Sequence, residues 1–409
     1  MNRRSHRQVR SPLTGLHAPP IVWVMAYLVR KLKLGKTAQM DRVALASGDL
    51  YTRTLVYFWR VARKKCIWLS PNSLMKLFRS DALHSQSAQA TIQSFCASLK
   101  SWRAKRAIDP LAKPPRKRQK FFKVVWKPSA IRLQEGNLIL PNGKGNDPLT
   151  VSWEWDLPRQ VEIGWDGEQY ELRATYSHDP ESQIMCDGVA GIDLGEIHPA
   201  TTFDGKESVI YNGRLLRSKR RYQNKIKAQI TRRLDVKQKK SKRWRKLQRS
   251  KARQLKKLKN QIRDVEHKLS RAVVSTLLES GVQTLVIGDV RDIRADLDYG
   301  KKTNQKLHQW TFGQMRWMLS YKWENLGGKV VLREERGTSS TCPRCGARKR
   351  PTGRTFHCEC GFRAHRDAVG AINIRKKYQD CGPVVGDMAP PLRGLRYRPH
   401  LACNSAVSV

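Results

Sequence analysis

Val189-Ala190-Gly191-Ile192-Asp193-Leu194-Gly195 is an apolar strand that carries one aspartate between two glycines. Glycine at such positions admits another backbone or a ligand at close range. A strand aspartate in apolar surroundings needs a partner, which is either a set of structural hydrogen bonds or a metal. Pro199 to Phe203, the Asp204-Gly205 turn and Val209-Ile210-Tyr211 read as a hairpin that continues this strand. Two further strand-like runs follow. Thr284 to Val290 contains Gly288-Asp289, and Lys329 to Arg333 ends in Glu334-Glu335, just before Arg336-Gly337-Thr338-Ser339.

Beyond these strands the cysteines cluster. Cys342-Pro343-Arg344-Cys345 and Cys358-Glu359-Cys360 are two close pairs separated by 12 residues, a spacing that lets four thiolates close around one tetrahedral zinc. The second pair is C-x-C, so His357 or His365 is an alternative ligand if that turn cannot present both thiolates. A closed four-ligand site leaves no open position for substrate and is therefore structural. Arg348, Lys349, Arg350 and Arg354 between the pairs suit a knuckle that faces nucleic acid. His365-Arg366-Asp367-Ala368-Val369-Gly370-Ala371-Ile372-Asn373-Ile374 comes next, a helix whose small residues permit close packing and whose start carries Asp367.

The wider composition says what kind of partner these residues serve. The 409 residues include 80 Lys and Arg against 34 Asp and Glu, a formal net charge of +46. Self-repulsion at that level opposes compaction unless a polyanion neutralises it. At two phosphates per base pair the excess formally balances about 23 base pairs, well beyond one small recognition module. A small-metabolite enzyme as sole function is disfavoured. A membrane surface is the other polyanion, but the longest apolar run, Ile21 to Val29, falls short of the roughly 18 residues of a spanning helix. Arg3, Arg4, Arg7 and Arg10 precede it in the manner of an export signal, yet Arg30 and Lys31 follow at once and no small-residue cleavage site appears. Besides the clustered four, five cysteines (Cys66, Cys96, Cys186, Cys381, Cys403) are scattered, which suits a reducing, intracellular compartment.

The N-terminal half divides by pattern. Residues 1–20, basic and with Pro12, Pro19 and Pro20, read as a flexible arm. A strand-like run, Ile21 to Leu32, precedes a helical stretch over 36–106 with Leu55, Phe58, Trp59 and Val61 within two turns and a break at Pro71. The basic loop Lys113 to Lys120 leads into short alternating strands: Phe122 to Trp126, Leu138 to Leu140, Leu149 to Trp155, Val161 to Ile163 and Tyr170 to Tyr176. The simplest arrangement is one β-barrel, residues 21–35 and 107–185, interrupted by the helical module. From Arg214 to Arg271 the chain carries 25 Lys and Arg against three acids. Leu255, Leu258, Ile262, Val265 and Leu269 form an apolar seam there, so residues 214–280 read as a basic helical hairpin. It is either solvated or laid along a phosphate backbone, with Trp244 inside the stretch Lys237 to Arg249.

In this order, Gly191 to Gly195, Thr338-Ser339 before one Cys pair, the second Cys pair, and Arg366-Asp367 to Asn373 resemble the TnpB proteins of bacterial insertion sequences, relatives of type V CRISPR effectors and of the eukaryotic Fanzor proteins. The resemblance covers about 186–375 well and the N-terminal half in outline. It implies an RNA-guided, Mg²⁺-dependent DNA endonuclease of RuvC type, in which three acids hold two ions that act on a phosphodiester. The implied fold is multidomain, α/β plus all-β. It comprises an RNase H-like RuvC domain (186–337 and 363–378), a zinc-binding insertion that loads target nucleic acid (338–362), an oligonucleotide-binding wedge barrel, a helical recognition module and a disordered tail (379–409). Guide RNA and single- and double-stranded target DNA are the implied partners, a short motif beside the target is read by the protein, and base pairing supplies the sequence. A monomer in the bacterial cytoplasm, nucleoid-associated when on DNA, is expected.

The resemblance also assigns acids. Asp193 matches the first family acid and Asp367 the third. The second commonly belongs to a Glu-Asp pair where this chain reads Gly288-Asp289. Asp289 cannot inherit the missing position without a bulge, because neighbouring strand residues point to opposite faces. Some TnpB-like and Fanzor relatives carry a relocated glutamate where Glu334-Glu335 stand here, and Glu335 is favoured over Glu334. The rival is a surface pair balancing Arg333 and Arg336, which would make the chain a nuclease-inactive RNA-guided repressor. An RNA-independent DNA transposase is a further alternative, since such enzymes also use three acids and two metals.

Overall fold

The computed structural model describes residues 26–118, 122–178, 187–290, 298–349 and 353–379. The expected arm, nearly all of the expected tail, Lys120, Cys186, Cys381 and Cys403 lie outside the described residues.

Strand β1 (Ala26–Leu34) ends one residue before Gly35, and Thr37 then caps α1 (Ala38–Lys65), its hydroxyl accepting from the Met40 amide. Ser70 and Pro71 start α2 (Pro71–Leu77) with a serine cap and a proline in the first turn, and α3 (Ser85–Ile108) follows. The strands of this half are β2 (Val124–Trp126), β3 (Arg132–Gln134), β4 (Asn137–Leu140), β5 (Leu149–Ser152), β6 (Gln160–Trp165) and β7 (Tyr170–His178). They form two antiparallel sheets, β1-β7-β6-β2 and β3-β4-β5, instead of one continuous barrel ladder among the described residues. β1, supplied from before the helices, pairs along its whole length with β7, from Ala26 opposite His178 to Leu34 opposite Tyr170.

The helices do not keep a core of their own. Leu50, Tyr51 and Phe58 of α1, Ile92 and Phe95 of α3, and Trp126, Leu138, Leu140 and Leu172 of the sheets are buried in one apolar cluster. Ser47 explains the docking. Its hydroxyl lies 3.0 Å from that of Thr91 on α3 and donates to the Lys123 carbonyl beside β2, so the two helices and the sheet edge share one buried polar contact.

The second half is built on a five-stranded mixed sheet in the order β10-β9-β8-β11-β12. β8 (Gly188–Asp193), β9 (Ala200–Phe203) and β10 (Ser208–Tyr211) form an antiparallel meander. Two basic helices, α4 (Arg214–Asp235) and α5 (Lys242–Glu279), then lead to β11 (Val282–Asp289), which lies parallel to β8. α6 (Gly300–Gln309) and α7 (Phe312–Glu324) connect onward to β12 (Lys329–Glu334), parallel to β11. β11 is central, and Leu285, Val286 and Ile287 are fully buried, as a parallel strand covered on both faces requires. On α5 the seam is Leu258, Ile262, Val265 and Leu269, with Leu255 half-buried, and Val273, Val274 and Leu277 extend it onto the sheet. Glu266 is buried in that seam and binds Arg220 of α4 at 2.8 Å, which fixes the two basic helices to each other.

One face of the sheet packs on α5 and α7 through Ala190, Ile192, Leu285 and Ile287. The other face carries α8 (Arg366–Gln379), which follows directly on a small hairpin of β13 (Thr355–His357) and β14 (Arg363–His365). Phe356, Phe362 and Ala364 of that hairpin share a third apolar cluster with Phe203 and with Val369, Ala371 and Ile372 of α8. Among the described residues no helix is long and apolar enough to cross a membrane.

Candidate functional site

The strand alternation of β8 decides what faces what. Ala190 and Ile192 point to the α5 side, so Gly191 and Asp193 point to α8. Gly191 is required there: a Cβ would overlap the Ala371 carbonyl and come within 2.8 Å of the Arg375 amide. The contact is reciprocal, since a Cβ on Gly370 of α8 would lie 2.7 Å from Asp193 Oδ2. Two glycines thus let strand and helix touch, and the touching point holds Asp193 beneath the turn that begins with Asp367.

Gly288 on β11 makes room for the third acid. A Cβ on Gly288 would overlap the Glu335 carboxylate, with Oε1, Cδ and Cγ its three nearest atoms. The Glu335 side chain therefore fills the space that a side chain at 288 would use. Oε1 is buried and has no hydrogen-bond partner, while the Leu194 amide, next to Asp193, hydrogen-bonds the carboxylate. The backbone of Glu335 is held as well. Its carbonyl accepts from the Thr338 amide and hydroxyl, and Asn373 of α8 donates to the carbonyls of Thr338 (2.6 Å) and Thr341 (2.7 Å). The neighbouring acids go elsewhere. Asp289 faces α7 and pairs with Arg316 at 3.1 Å, and Glu334 is exposed at the end of β12.

Electrostatics tie the three carboxyls together. Burial pushes Asp193 well above the usual carboxylate range, and the charges of Glu335 and Asp367 push it further, with Arg366 opposing. Burial raises Glu335 to about 7, and Asp289 adds to the rise. Burial alone would raise Asp367, but the His198 hydrogen bond and the positive charges of His365, His198 and Arg354 together outweigh it and leave that carboxyl below its ordinary range. Like charges gathered out of water are unfavourable unless a cation joins them. The fold therefore keeps a cost here that a proton removes at low pH and a positive ligand removes at high pH. For an acid whose folded pKa is raised, the folded chain holds the extra proton between the two pKa values. Glu335 thus lowers stability as pH rises from about 4.5 to about 7. Millimolar Mg²⁺ is accordingly expected to raise the melting temperature at about pH 8 and to change it little at about pH 5, measured by calorimetry.

The four cysteines converge. Their Sγ atoms all lie within 4.8 Å of one another, with Cys342–Cys360 at 3.7 Å and Cys345–Cys358 at 3.4 Å. Four thiolates about 2.3 Å from one zinc are about 3.8 Å apart, so the set has the dimensions of a tetrahedral site. Gly361, with φ at +84°, makes the turn that lets the C-x-C pair present both sulfurs. Burial raises the Cys342 thiol to about 12, whereas the Cys360 amide lowers Cys358 to about 7. The alternative ligands do not join this set: His357 is exposed, and His365 sits beside Asp367. His198, whose Nδ1 is 2.7 Å from Asp367 Oδ2, is a site residue that motif reading missed. The turn after β8 places it, where the Gly195 amide donates to the His198 carbonyl and brings the ring back to the strand end.

Known proteins resemble this chain in sequence and in fold. A family model described as a probable transposase (OrfB of IS605) matches residues 175–294, and the Cas12f1-like TNB domain matches 312–374. The chain is 32% identical over 142 residues to the TnpB-like protein MJ0751 of Methanocaldococcus jannaschii, an alignment covering 34% of this chain and 49% of that protein. It is 31% identical over 112 residues to the CRISPR-associated endodeoxyribonuclease Cas12f1 of Sulfoacidibacillus thermotolerans, covering 26% of this chain and 25% of that one. These alignments span half or less of either relative. Among solved structures, the Cas12f1 chain of a complex with sgRNA and target DNA superposes with a TM-score of 0.60 at 11% identity, over 82% of this chain and 81% of that one. That likeness is one of fold.

Proposed function

We propose that this chain is a member of the TnpB family and an RNA-guided DNA endonuclease with a RuvC-type centre formed by Asp193, Glu335 and Asp367, a reading that the two matching family models and the TnpB-like relative support. The observation that carries the reading is the Glu335 carboxylate seated over Gly288, beside Asp193 and with a buried, unpartnered oxygen. A surface pair that merely balanced Arg333 and Arg336 would not be buried against a glycine. The donor set is all oxygen and anionic, which fits Mg²⁺. Bound there, two such ions would supply charge for an attacking water and a leaving phosphodiester oxygen.

The chain's own residues do the rest. The close packing of β8 on α8 that Gly191 and Gly370 permit holds Asp193 against the turn that carries Asp367, and Asn373 holds the Thr338–Thr341 turn that directly follows Glu335. Both would hold the acids on the same side of the sheet before any ion arrives, which is the preorganisation such centres need. His198 aims the Asp367 carboxylate. The basic faces of α4 and α5 supply a track for a guide–target duplex recognised by its backbone, and the N-terminal sheets with α1 to α3 supply the remaining wall of that channel. The Cys342, Cys345, Cys358 and Cys360 set would take a structural zinc and stiffen the insertion that meets the single strand.

The test is purification with the flanking DNA of its locus expressed alongside, sequencing of any bound RNA, and assay of a matching target with Mg²⁺. Guide-dependent cutting is expected. Cutting without RNA would favour a transposase instead, and guide-dependent binding without cutting a repressor.

A further inference from the structure

One cluster beside the acids is not used by the reading above. His198, His365 and Asp367 each offer a ligand atom, and the three atoms lie within 4.8 Å of one another. They come from three separate places: the turn after β8, the end of β14 and the first turn of α8. All the close contacts to the carboxylate fall on Oδ2, which is 2.7 Å from His198 Nδ1, 4.0 Å from His365 Nδ1 and 3.8 Å from Arg354 Nη1. The side chains are partly open to solvent, with exposures of 21%, 28% and 18% for His198, His365 and Asp367, so an ion can reach them.

We propose that His198, His365 and Asp367 form a binding site for a borderline divalent transition metal such as Mn²⁺, separate from the four-thiolate set and sharing Asp367 with the carboxylate centre. Ligand chemistry separates it from a Mg²⁺ site, because Mg²⁺ prefers oxygen whereas two imidazoles favour first-row transition metals. Size agrees. An ion about 2.1 Å from each ligand atom sets neighbouring ligands about 3.0 to 3.5 Å apart, between the 2.7 Å and 4.0 Å spacings present. Small ring rotations therefore close the set.

The local hydrogen bonds are compatible with ligation. The Asp367 amide donates to His365 Nδ1 at 3.2 Å, so that nitrogen carries no proton, and an ion there takes the lone pair in place of this long amide contact. His198 presents one at Nδ1 once its ring proton sits on Nε2, and the ion then replaces the proton shared with Asp367. The Arg354 guanidinium is the occupant that opposes this. It lies beside the same oxygen but is half exposed, on a residue just before β13, and can swing out. A cation already drawn to Oδ2 by weak, solvent-screened attraction marks where a better-coordinated one goes.

The inference depends on where Asp367 sits and not on whether the chain cuts DNA, so its test reads ligation directly. Nucleic-acid-free full-length protein, its thiolates loaded with one zinc, is titrated with Mn²⁺ and examined by pulsed electron spin echo spectroscopy. Nitrogen modulation on a bound Mn²⁺ is expected in the wild type and in Asp193→Asn. It should weaken in His198→Ala and in His365→Ala, each of which leaves one imidazole, and vanish in the double variant, with Mn²⁺ binding about ten- to a hundredfold weaker. Arg354→Gln should bind Mn²⁺ several-fold more tightly, a gain that no folding defect can imitate. Bound Mn²⁺ without nitrogen modulation in the wild type, modulation undiminished in the double histidine variant, or no bound Mn²⁺ in the wild type overturns the proposal. Loss of cleavage with these signals intact would instead count against the nuclease reading alone.

Discussion

Replacing Glu335 by alanine is expected to reduce target cleavage about a thousandfold or more while guide-dependent target binding persists, because several kcal/mol of metal-borne charge stabilisation depend on that ligand. Binding survives because pairing with the guide does not use the acids. A loss of activity alone would fit many explanations, so the sharper expectation concerns position 288. Gly288→Glu in the otherwise unchanged chain places a side chain on the Glu335 carboxylate and should destabilise by about 1–3 kcal/mol through overpacking. In the Glu335→Ala background the three atoms nearest to a Cβ at 288 are gone. The double variant should then recover a large part of the lost cleavage, since the carboxylate returns to the same space from a different strand. Full cutting by Glu335→Ala would remove Glu335 from the centre. A double variant that folds, binds target and stays inactive would mean that occupying the space over Gly288 is not what the glutamate does.

The same pair shows why part of the site could be read from sequence. Alternation in a strand has a period of two, so Asp289 could be set aside without coordinates, and in the structure it faces α7 and Arg316. The Cys cluster is legible for a similar reason: the four thiols lie close in the chain, and only short turns decide whether they meet. His198 was not legible. It lies 169 residues from Asp367, and nothing in its neighbours signals that separation will close. The N-terminal half shows a different limit. Short strands announce themselves by apolar alternation, but which edges pair depends on the whole core. The apolar faces of α1 and α3 cover strands that a barrel would have covered itself. Ser47 and Thr91, two polar residues buried between helices, carry no pattern that would reveal this docking.

Replacing Cys342 by serine tests whether the thiolate set and the carboxylates form one mechanical unit. Cys342 is buried in the same apolar cluster as Phe356 and Phe362 of the hairpin and Val369, Ala371 and Ile372 of α8. Only Arg366 separates the end of β14 from Asp367, and the Asn373 side chain reaches back to the turn that precedes Cys342. Structural zinc contributes about 10–16 kcal/mol in isolated zinc-finger peptides, so losing it should unfold the hairpin locally and uncover one side of α8. Three results are expected together: zinc falls well below one per chain, amide-exchange protection drops along α8, and cleavage falls about a hundredfold, the scale at which a catalytic group displaced by about 1 Å acts. Removal of the metal by a chelator should reproduce all three and zinc should reverse them, which separates loss of the ion from damage by the substitution. Zinc loss with α8 fully protected and cleavage unchanged would show that the hairpin is an appendage, and that Gly191 and Gly370 alone hold the helix in place.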